Sequence, residues 1–139
     1  MNYVLEYWNA IKKGEITVSK RVYRQYKKLA AEIKESDKYI FDEDKASKPI
    51  AFIEHSKGEW AGRPIKLELF QKAYISALFG FIDKETGLRR YRESMFYVGR
   101  KNGKSTMLAG IALYMLIADG EGGAECYSIA SKRDQARIL

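Results

Sequence analysis

The sequence predicts an α/β fold, in which an N-terminal helical region precedes the first part of a parallel β-sheet. Three observations support this. Apolar residues recur at helical spacing in the first third of the chain. Two short segments, 93–98 and 124–130, contain the apolar and aromatic residues that favour buried strands. A strongly apolar helix is predicted between them, and alternation of strand and helix is typical of parallel sheets.

Two helices are predicted in the N-terminal region. The first covers Val4–Lys12, and Gly14 separates it from the second. In the second, apolar residues recur at i, i+4, i+7 and i+11, which places them on one helical face: Val22, Tyr26, Leu29 and Ile33. The polar stretch 36–44 is predicted to be a connection.

The middle of the chain is predicted to contain two more helices. Pro49 suits the first turn of a short helix over 49–55. A loop rich in Gly and Pro follows at 57–64, and the helical pattern returns at 69–81. Turn residues surround Gly87. We therefore place a helical region at 1–48 and a second domain at 49–139.

The last third of the chain reads as strand, loop, helix, strand and helix. The strand 93–98 leads into the loop 99–103, and a helix is expected from Lys104 to Asp119. Glycines end that helix before the second strand. Ser131 has the character of an N-cap for a helix that begins at Lys132.

Composition narrows the class of protein. The chain has 139 residues, with 25 basic against 18 acidic side chains and a net charge of +7. The excess is spread along the chain, which favours a solvated surface, with a diffuse surface facing nucleic acid as the alternative. A single cysteine, Cys126, excludes an internal disulfide and favours an intracellular protein. The longest apolar stretch, 107–118, is too short to cross a membrane.

A phosphate-binding loop is predicted between the first strand and the apolar helix. The segment 98–106 reads Val-Gly-Arg-Lys-Asn-Gly-Lys-Ser-Thr. Glycines let such a loop curl so that N–H groups at the helix start converge on phosphate oxygens. Lys104 would reach the β- and γ-phosphates, and Ser105 would coordinate Mg²⁺. The standard pattern has glycine where this chain has Val98, and the alternative is an ordinary turn that caps a helix.

The chain resembles the large subunit of tailed-phage terminases, the motor that pumps DNA into capsids. Four blocks carry the resemblance in the right order: 55–62, 70–72, 99–106 and 124–137. The family commonly departs from the standard pattern at the first loop glycine. The resemblance implies the first part of a P-loop NTPase sheet of the RecA or helicase-like type, truncated in this chain.

The resemblance also implies roles for particular residues. Arg100 would act in cis on the γ-phosphate and, with Lys104, be catalytic; its alternative is a surface arginine. Gln71 would read the adenine edge, or it is simply a polar residue at a helix start. Ser131, Lys132, Arg133 and Gln135 would couple nucleotide state to DNA or contact DNA, or they form a capped, solvated helix start. The residues assigned to nucleotide binding are Gln71, Gly99, Arg100, Lys101, Asn102, Gly103, Lys104, Ser105 and Thr106.

The implied function is the ATPase part of a DNA-packaging motor that uses ATP and Mg²⁺ in the host cytoplasm. Implied partners are double-stranded DNA, the terminase small subunit, the capsid portal and further copies in a ring, with no membrane. Alternatives are another helicase-like P-loop ATPase, or a truncated nucleotide-binding module without turnover. The paired acids that hold Mg²⁺ and activate water, and the carboxylates of a nuclease, are not found in the sequence. We therefore expect the chain alone to bind nucleotide without turning it over.

Overall fold

The computed structural model describes residues 1–56 and 64–129, and their contacts form two compact units. The first comprises Met1–Ile50 and Leu67–Met95, and the second comprises Ala51–Lys66 and Phe96–Leu139. The predicted loop at 57–63, Ser131 and the helix from Lys132 lie outside the described residues. The predicted domains 1–48 and 49–139 stay a prediction.

Two capped helices open the first unit, as predicted. They are α1 (Tyr3–Lys12) and α2 (Lys20–Glu35). The side chains of Asn2 and Ser19 each accept a hydrogen bond from a first-turn backbone N–H, at 3.1 and 3.3 Å. Such N-caps satisfy donors that the helix itself leaves unpaired, and each stabilises a helix by about 1 kcal/mol.

A two-stranded antiparallel sheet completes the first unit together with α4 (Leu69–Gly80). Strand β1 (Tyr39–Phe41) pairs with β2 (Phe81–Asp83), which follows α4 directly. Gly80 allows this packing, because a Cβ there would lie 2.6 Å from the Phe41 ring. The sequence predicted a connection at 36–44, which misses β1, since a three-residue strand carries little periodicity of its own.

The core of the first unit lies where α1 packs against α2 and α4. The rings of Tyr7 and Tyr26 meet edge to face there, with centroids 4.7 Å apart. The buried cluster is Val4, Tyr7, Ile11, Tyr26, Leu29, Ala73 and Phe81. Of the four apolar positions that predicted α2, Tyr26 and Leu29 belong to this cluster, and Val22 and Ile33 pack against it partly buried.

Arg90 ties the segment after β2 to α2. Its guanidinium donates two hydrogen bonds to the Glu32 carboxylate, at 2.7 and 3.1 Å, and lies 4.3 Å from the centroid of the Tyr39 ring. Both side chains are mostly buried. The bonds to Glu32 raise the pKa of Arg90 further above its ordinary value. Such a two-point ion pair fixes geometry as well as charge.

Helix α3 (Glu43–His55) begins six residues before the predicted start at Pro49, so that prediction is wrong. The Asp42 carboxylate accepts a hydrogen bond from Lys45 N–H at 2.9 Å, as an N-cap does. Pro49 lies inside the helix, where it cannot donate to the carbonyl four residues earlier. The cap at Asp42 therefore decides where the helix begins.

The second unit is organised by α5 (Lys104–Ile117), which confirms the predicted apolar helix. Its buried face consists of Met107, Ile111 and Tyr114, and the Tyr114 ring packs edge to face on Phe52 of α3. The opposite face leaves apolar side chains exposed at Leu113, Leu116 and Ile117.

The predicted parallel sheet is not formed by the described residues. The segments 93–98 and 124–129 form no strand, and the sheet present in residues 1–56 and 64–129 is the antiparallel pair β1–β2. A strand needs a hydrogen-bonded neighbour. Instead, these segments expose their large side chains: Met95, Tyr97, Tyr127 and Ile129 are 81–98% exposed. The fold is thus mixed helix and strand.

None of the helices that the structure describes combines the length and apolar character needed to cross a bilayer.

Candidate phosphate-binding site

The predicted phosphate loop encloses a cavity of about 320 Å³. Every residue that lines it lies between positions 98 and 106: Val98, Gly99, Arg100, Lys101, Gly103, Lys104, Ser105 and Thr106. The structure therefore brings the residues of the predicted loop, apart from Asn102, together around one cavity. Three of the lining side chains are cationic and none is acidic, so the cavity favours an anion.

The helix start supplies the donors. Helix α5 begins after Gly103, which has no side chain to cap the first-turn N–H groups. Those groups lack intrahelical acceptors and carry the positive end of the helix dipole. They belong to Lys104, Ser105 and Thr106, which are all exposed and line the cavity. This geometry suits a phosphate group.

Two residues of the loop adopt the left-handed conformation. Gly103 has φ of 65°, which a glycine adopts without strain, and Lys101 has the same φ despite its side chain. A non-glycine residue in this region is strained by about 1 kcal/mol. The sequence pattern explains Gly103 but gives no sign of the turn at Lys101.

Asn102 holds the loop in its curled form. Its side-chain amide donates to the carbonyl oxygens of Gly99, at 3.2 Å, and Arg100, at 3.1 Å. These two bonds tie the start of the loop to Asn102. Asn102 thus positions the loop. The sequence pattern alone did not distinguish this role from direct contact with phosphate.

Arg100 and Lys104 are both exposed at the cavity, as the proposed catalytic roles require. A guanidinium and an ammonium beside the same space can both interact with negative oxygens of one phosphate chain. Ser105 presents its hydroxyl group at the first turn of α5, so an oxygen ligand for Mg²⁺ is available there. The residues present therefore fit a nucleotide phosphate with its metal ion.

Gln71 lies in the first compact unit, at the third position of α4. It is 5% exposed, and its side-chain oxygen accepts a hydrogen bond from Glu68 N–H at 2.9 Å. This is the arrangement of a capping box. The observed role is therefore structural, and the reading of adenine by Gln71 stays a prediction.

Gly110 positions the phosphate helix, and the sequence analysis did not identify it. A Cβ at Gly110 would lie 2.8 Å from Ile53 Cγ1, so α5 and α3 approach closely only because position 110 is glycine. The signal was present, because glycine inside a helix costs stability and usually marks a close contact. This contact fixes the helix whose first turn forms the site.

Cys126 and His55 each lie close to a backbone carbonyl oxygen. The Cys126 thiol lies 3.5 Å from the Ala112 carbonyl oxygen, and His55 Nδ1 lies 2.6 Å from the Ala51 carbonyl oxygen. Across the described ranges, no group of three or more His, Cys, Asp or Glu side chains could hold a metal ion.

Comparison with known proteins identifies the family. The model of the terminase large subunit ATPase domain matches residues 69–139. The terminase large subunits of Lactococcus phages p2 and SK1 are each 30% identical over 142 aligned positions, covering 99% of this chain. That of Enterobacteria phage HK97 is 34% identical over 95 positions, covering 65% of it.

The chain spans 25% of the length of the Lactococcus phage proteins and 18% of the HK97 protein. No solved structure matches it. The family model covers the phosphate loop, α4 and α5, and the Lactococcus alignments add the N-terminal helices. The chain therefore belongs to the terminase large subunit family, in the part that contains the ATPase domain.

Proposed function

We propose that this chain is the nucleotide-binding part of the ATPase that drives DNA packaging in a tailed phage. The observation that carries the proposal is the curled loop 98–106, whose cationic cavity opens at the first turn of α5. Family membership supports a terminase over another helicase-like ATPase. The nucleotide is ATP with Mg²⁺, used in the host cytoplasm.

Each loop residue has a distinct part in the proposal. Backbone N–H groups of Lys104, Ser105 and Thr106 hold phosphate oxygens, and the Lys104 ammonium neutralises the β- and γ-phosphates. The Ser105 hydroxyl would be a ligand for Mg²⁺. The positive charge of the metal ion would stabilise the negative charge that develops on the phosphoryl oxygens. Arg100 contacts the γ-phosphate and favours charge there.

Gly99, Lys101 and Asn102 support this arrangement. Gly99 and Lys101 line the cavity, where the Lys101 charge adds to the attraction for an anion, and Asn102 holds the curl. The cavity volume of about 320 Å³ is at the small end of ligand sites, which suits the phosphate chain rather than a whole nucleotide. Gln71 is the proposed contact to adenine.

The whole motor acts on double-stranded DNA with a small subunit, a portal and further copies of itself in a ring. Hydrolysis requires an acid that holds Mg²⁺ and another that orients water, and we assign neither in this chain. Binding without turnover is therefore the proposed activity of these 139 residues alone.

Lys104→Ala tests the nucleotide site. Mg-ATP at about one hundred times its dissociation constant stabilises a protein by about 2.7 kcal/mol, so it should raise the melting temperature of the unaltered chain. Lys104→Ala should remove that rise, whereas Lys48→Ala, an exposed lysine on α3, should keep it. An equal rise in all three proteins would contradict the proposal, and phosphate release that depends on Lys104 would contradict binding without turnover.

A further inference from the structure

The outward face of α2 carries a row of basic side chains. Helix α2 has six basic residues against two acidic ones, so this one helix accounts for four of the seven excess positive charges of the chain. At 100° per residue, four of the basic side chains fall within about 80° of one another on the face opposite Leu29. These are Lys20, Arg24, Lys27 and Lys34, all exposed, and we call them the α2 basic row.

In the part of the chain that the structure describes, the α2 basic row is not paired with acidic side chains. Positions three and four residues from Lys20, Arg24 and Lys27 hold no carboxylate. Helix α2 contains two acids: Glu35 is exposed and follows Lys34 in the sequence, and Glu32 is bound by Arg90 at 2.7 Å and faces Lys28 at 3.9 Å. Among the described residues, no member of the row forms an ion pair.

Most of the row does not serve the stability of α2, although Lys34 in the last turn suits the helix dipole. Its first member, Lys20, stands at the helix N-terminus, where the helix dipole disfavours positive charge, and the first turn has no acidic residue. Arg24 and Lys27 place like charges one turn apart, which is also destabilising. Binding of a polyanion along this face would relieve both effects.

We propose that the α2 basic row binds the phosphate backbone of double-stranded nucleic acid. The row extends for about 21 Å along the helix, at about 1.5 Å per residue, and a duplex presents one phosphate charge for about every 1.7 Å of its axis. Phosphate contacts require charge without an apolar anchor. The row fits this, since Ala31 is the apolar residue within it and Leu29 faces the core.

An acidic protein partner fits less well. The centres of protein interfaces are depleted of charge and enriched in apolar and aromatic side chains. Beside the row, Tyr23 is 43% exposed, but its ring packs edge to face on Trp8 with centroids 5.1 Å apart. The outward face of α2 thus offers charge over its length and no apolar centre.

This surface is separate from the phosphate cavity of the proposed function. It lies in the first compact unit, whereas the cavity is built wholly from residues of the second. The proposal takes double-stranded DNA from the proposed packaging function and names a surface that would hold it. Nucleotide binding and duplex binding can accordingly be measured apart.

The experiment compares three forms of the whole chain by fluorescence anisotropy with a labelled DNA duplex of arbitrary sequence, over a series of salt concentrations. The first is unaltered. The second removes the row by Lys20→Gln, Arg24→Gln, Lys27→Gln and Lys34→Gln. The third removes the same charge from exposed lysines elsewhere by Lys12→Gln, Lys45→Gln, Lys48→Gln and Lys66→Gln. Glutamine is a good helix former, and circular dichroism confirms folding.

Loss of the row should weaken duplex binding by about tenfold or more at ~0.1 M salt, and reduce the slope of log affinity against log salt by about 3 to 4. The control variant should retain most of both. Equal weakening in the two variants overturns the proposal, because net charge alone would then explain binding. Displacement of the duplex by polyglutamate at equal charge overturns it in favour of an acidic protein partner.

The Mg-ATP melting shift is measured on the same three proteins. A shift that persists in the row variant while duplex binding falls supports both sites. If Mg-ATP does not raise the melting temperature of the unaltered chain while duplex binding is normal, the result counts against the nucleotide site alone. Duplex binding that is unaffected by removing the row, with a normal Mg-ATP shift, counts against the α2 basic row alone.

Discussion

At the scale of single residues, the phosphate site depends as much on how the loop is held as on which groups face the ligand. The lining charges come from Arg100, Lys101 and Lys104, but the curl depends on the Asn102 amide and two left-handed residues. The sequence motif identified where the loop lies, because glycine and lysine spacing is local information. It did not distinguish a residue that binds phosphate from one that holds the backbone.

Asn102→Ala separates these two roles. The variant loses two hydrogen bonds that hold the loop carbonyls, each worth about 1 kcal/mol. We expect Mg-ATP to bind about tenfold more weakly, while the melting temperature without nucleotide changes little because the loop is exposed. Titration with a fluorescent ATP analogue measures this. Asn9→Ala, which shortens an exposed asparagine of α1, should bind as the unaltered chain does; equal affinity for all three would contradict the role of Asn102.

At the scale of elements, four of the five described helices were predictable, whereas the start of α3 and the strands were not. Helices α1, α2, α4 and α5 are each ten residues long or longer, so each can be recognised from its own local sequence. The segments 93–98 and 124–129 are apolar and short, and such a segment becomes a strand only with a hydrogen-bonded neighbour. Whether such a neighbour is present depends on residues distant in the sequence. The described residues form no parallel sheet for that reason.

The contact between α3 and α5 gives a test at the same scale. Gly110→Ala adds a methyl group where Ile53 already lies within 2.8 Å, so we expect a loss of about 1 to 3 kcal/mol in the free energy of unfolding. Ile53→Ala removes all three Ile53 carbons that the added methyl group would meet, at 2.8, 3.2 and 3.3 Å, so Gly110→Ala should cost less in that background. Urea unfolding of all four proteins measures the coupling.

A matched control is Ala109→Gly, since Ala109 is partly exposed on the same helix. This variant measures what helix propensity alone contributes to an exchange between alanine and glycine in α5. If Gly110→Ala is neutral or stabilising, as propensity alone predicts, then the close approach of α3 and α5 is not what requires glycine at position 110. Additive effects at positions 53 and 110 would give the same conclusion.

At the scale of the whole molecule, the first unit is stabilised by buried tyrosines, which make its stability sensitive to alkali. Burial raises the pKa of Tyr7, Tyr26 and Tyr91 above the usual 10.0, most of all for Tyr26. The folded pKa is higher than the unfolded one, so this stability is fully present below pH 10 and is lost as pH rises toward the folded values.

We therefore expect the free energy of unfolding to fall above about pH 10. Tyr26→Phe should show a shallower fall, because it removes the group with the largest pKa change. Urea unfolding followed by circular dichroism across pH 8 to 11 would measure both, with a slope of roughly 1.4 kcal/mol per pH unit per proton. Tyr97→Phe is the control, since Tyr97 is 98% exposed. A pH dependence equal in all three would show that Tyr26 ionises alike in both states.

The distribution of basic residues shows what can and cannot be inferred from the sequence at this scale. Counted along the chain, the basic excess has no block and indicates an ordinary solvated surface. Wound into α2, the same residues align on one face, because helical periodicity brings together residues that are three, four and seven apart. The surface could have been found from the predicted helix by applying helical periodicity to its charged residues as well as to its apolar ones.

The asparagine that holds the phosphate loop also limits how long a preparation stays uniform. Asn102 is followed by Gly103, which has no side chain to hinder attack of its backbone nitrogen on the Asn102 side-chain carbon. That reaction forms a ring, releases ammonia, and on hydrolysis leaves a carboxylate where the amide was. A carboxylate accepts hydrogen bonds and cannot donate to the carbonyls of Gly99 and Arg100. Stored protein would thus age by acquiring a negative charge beside its own anion site.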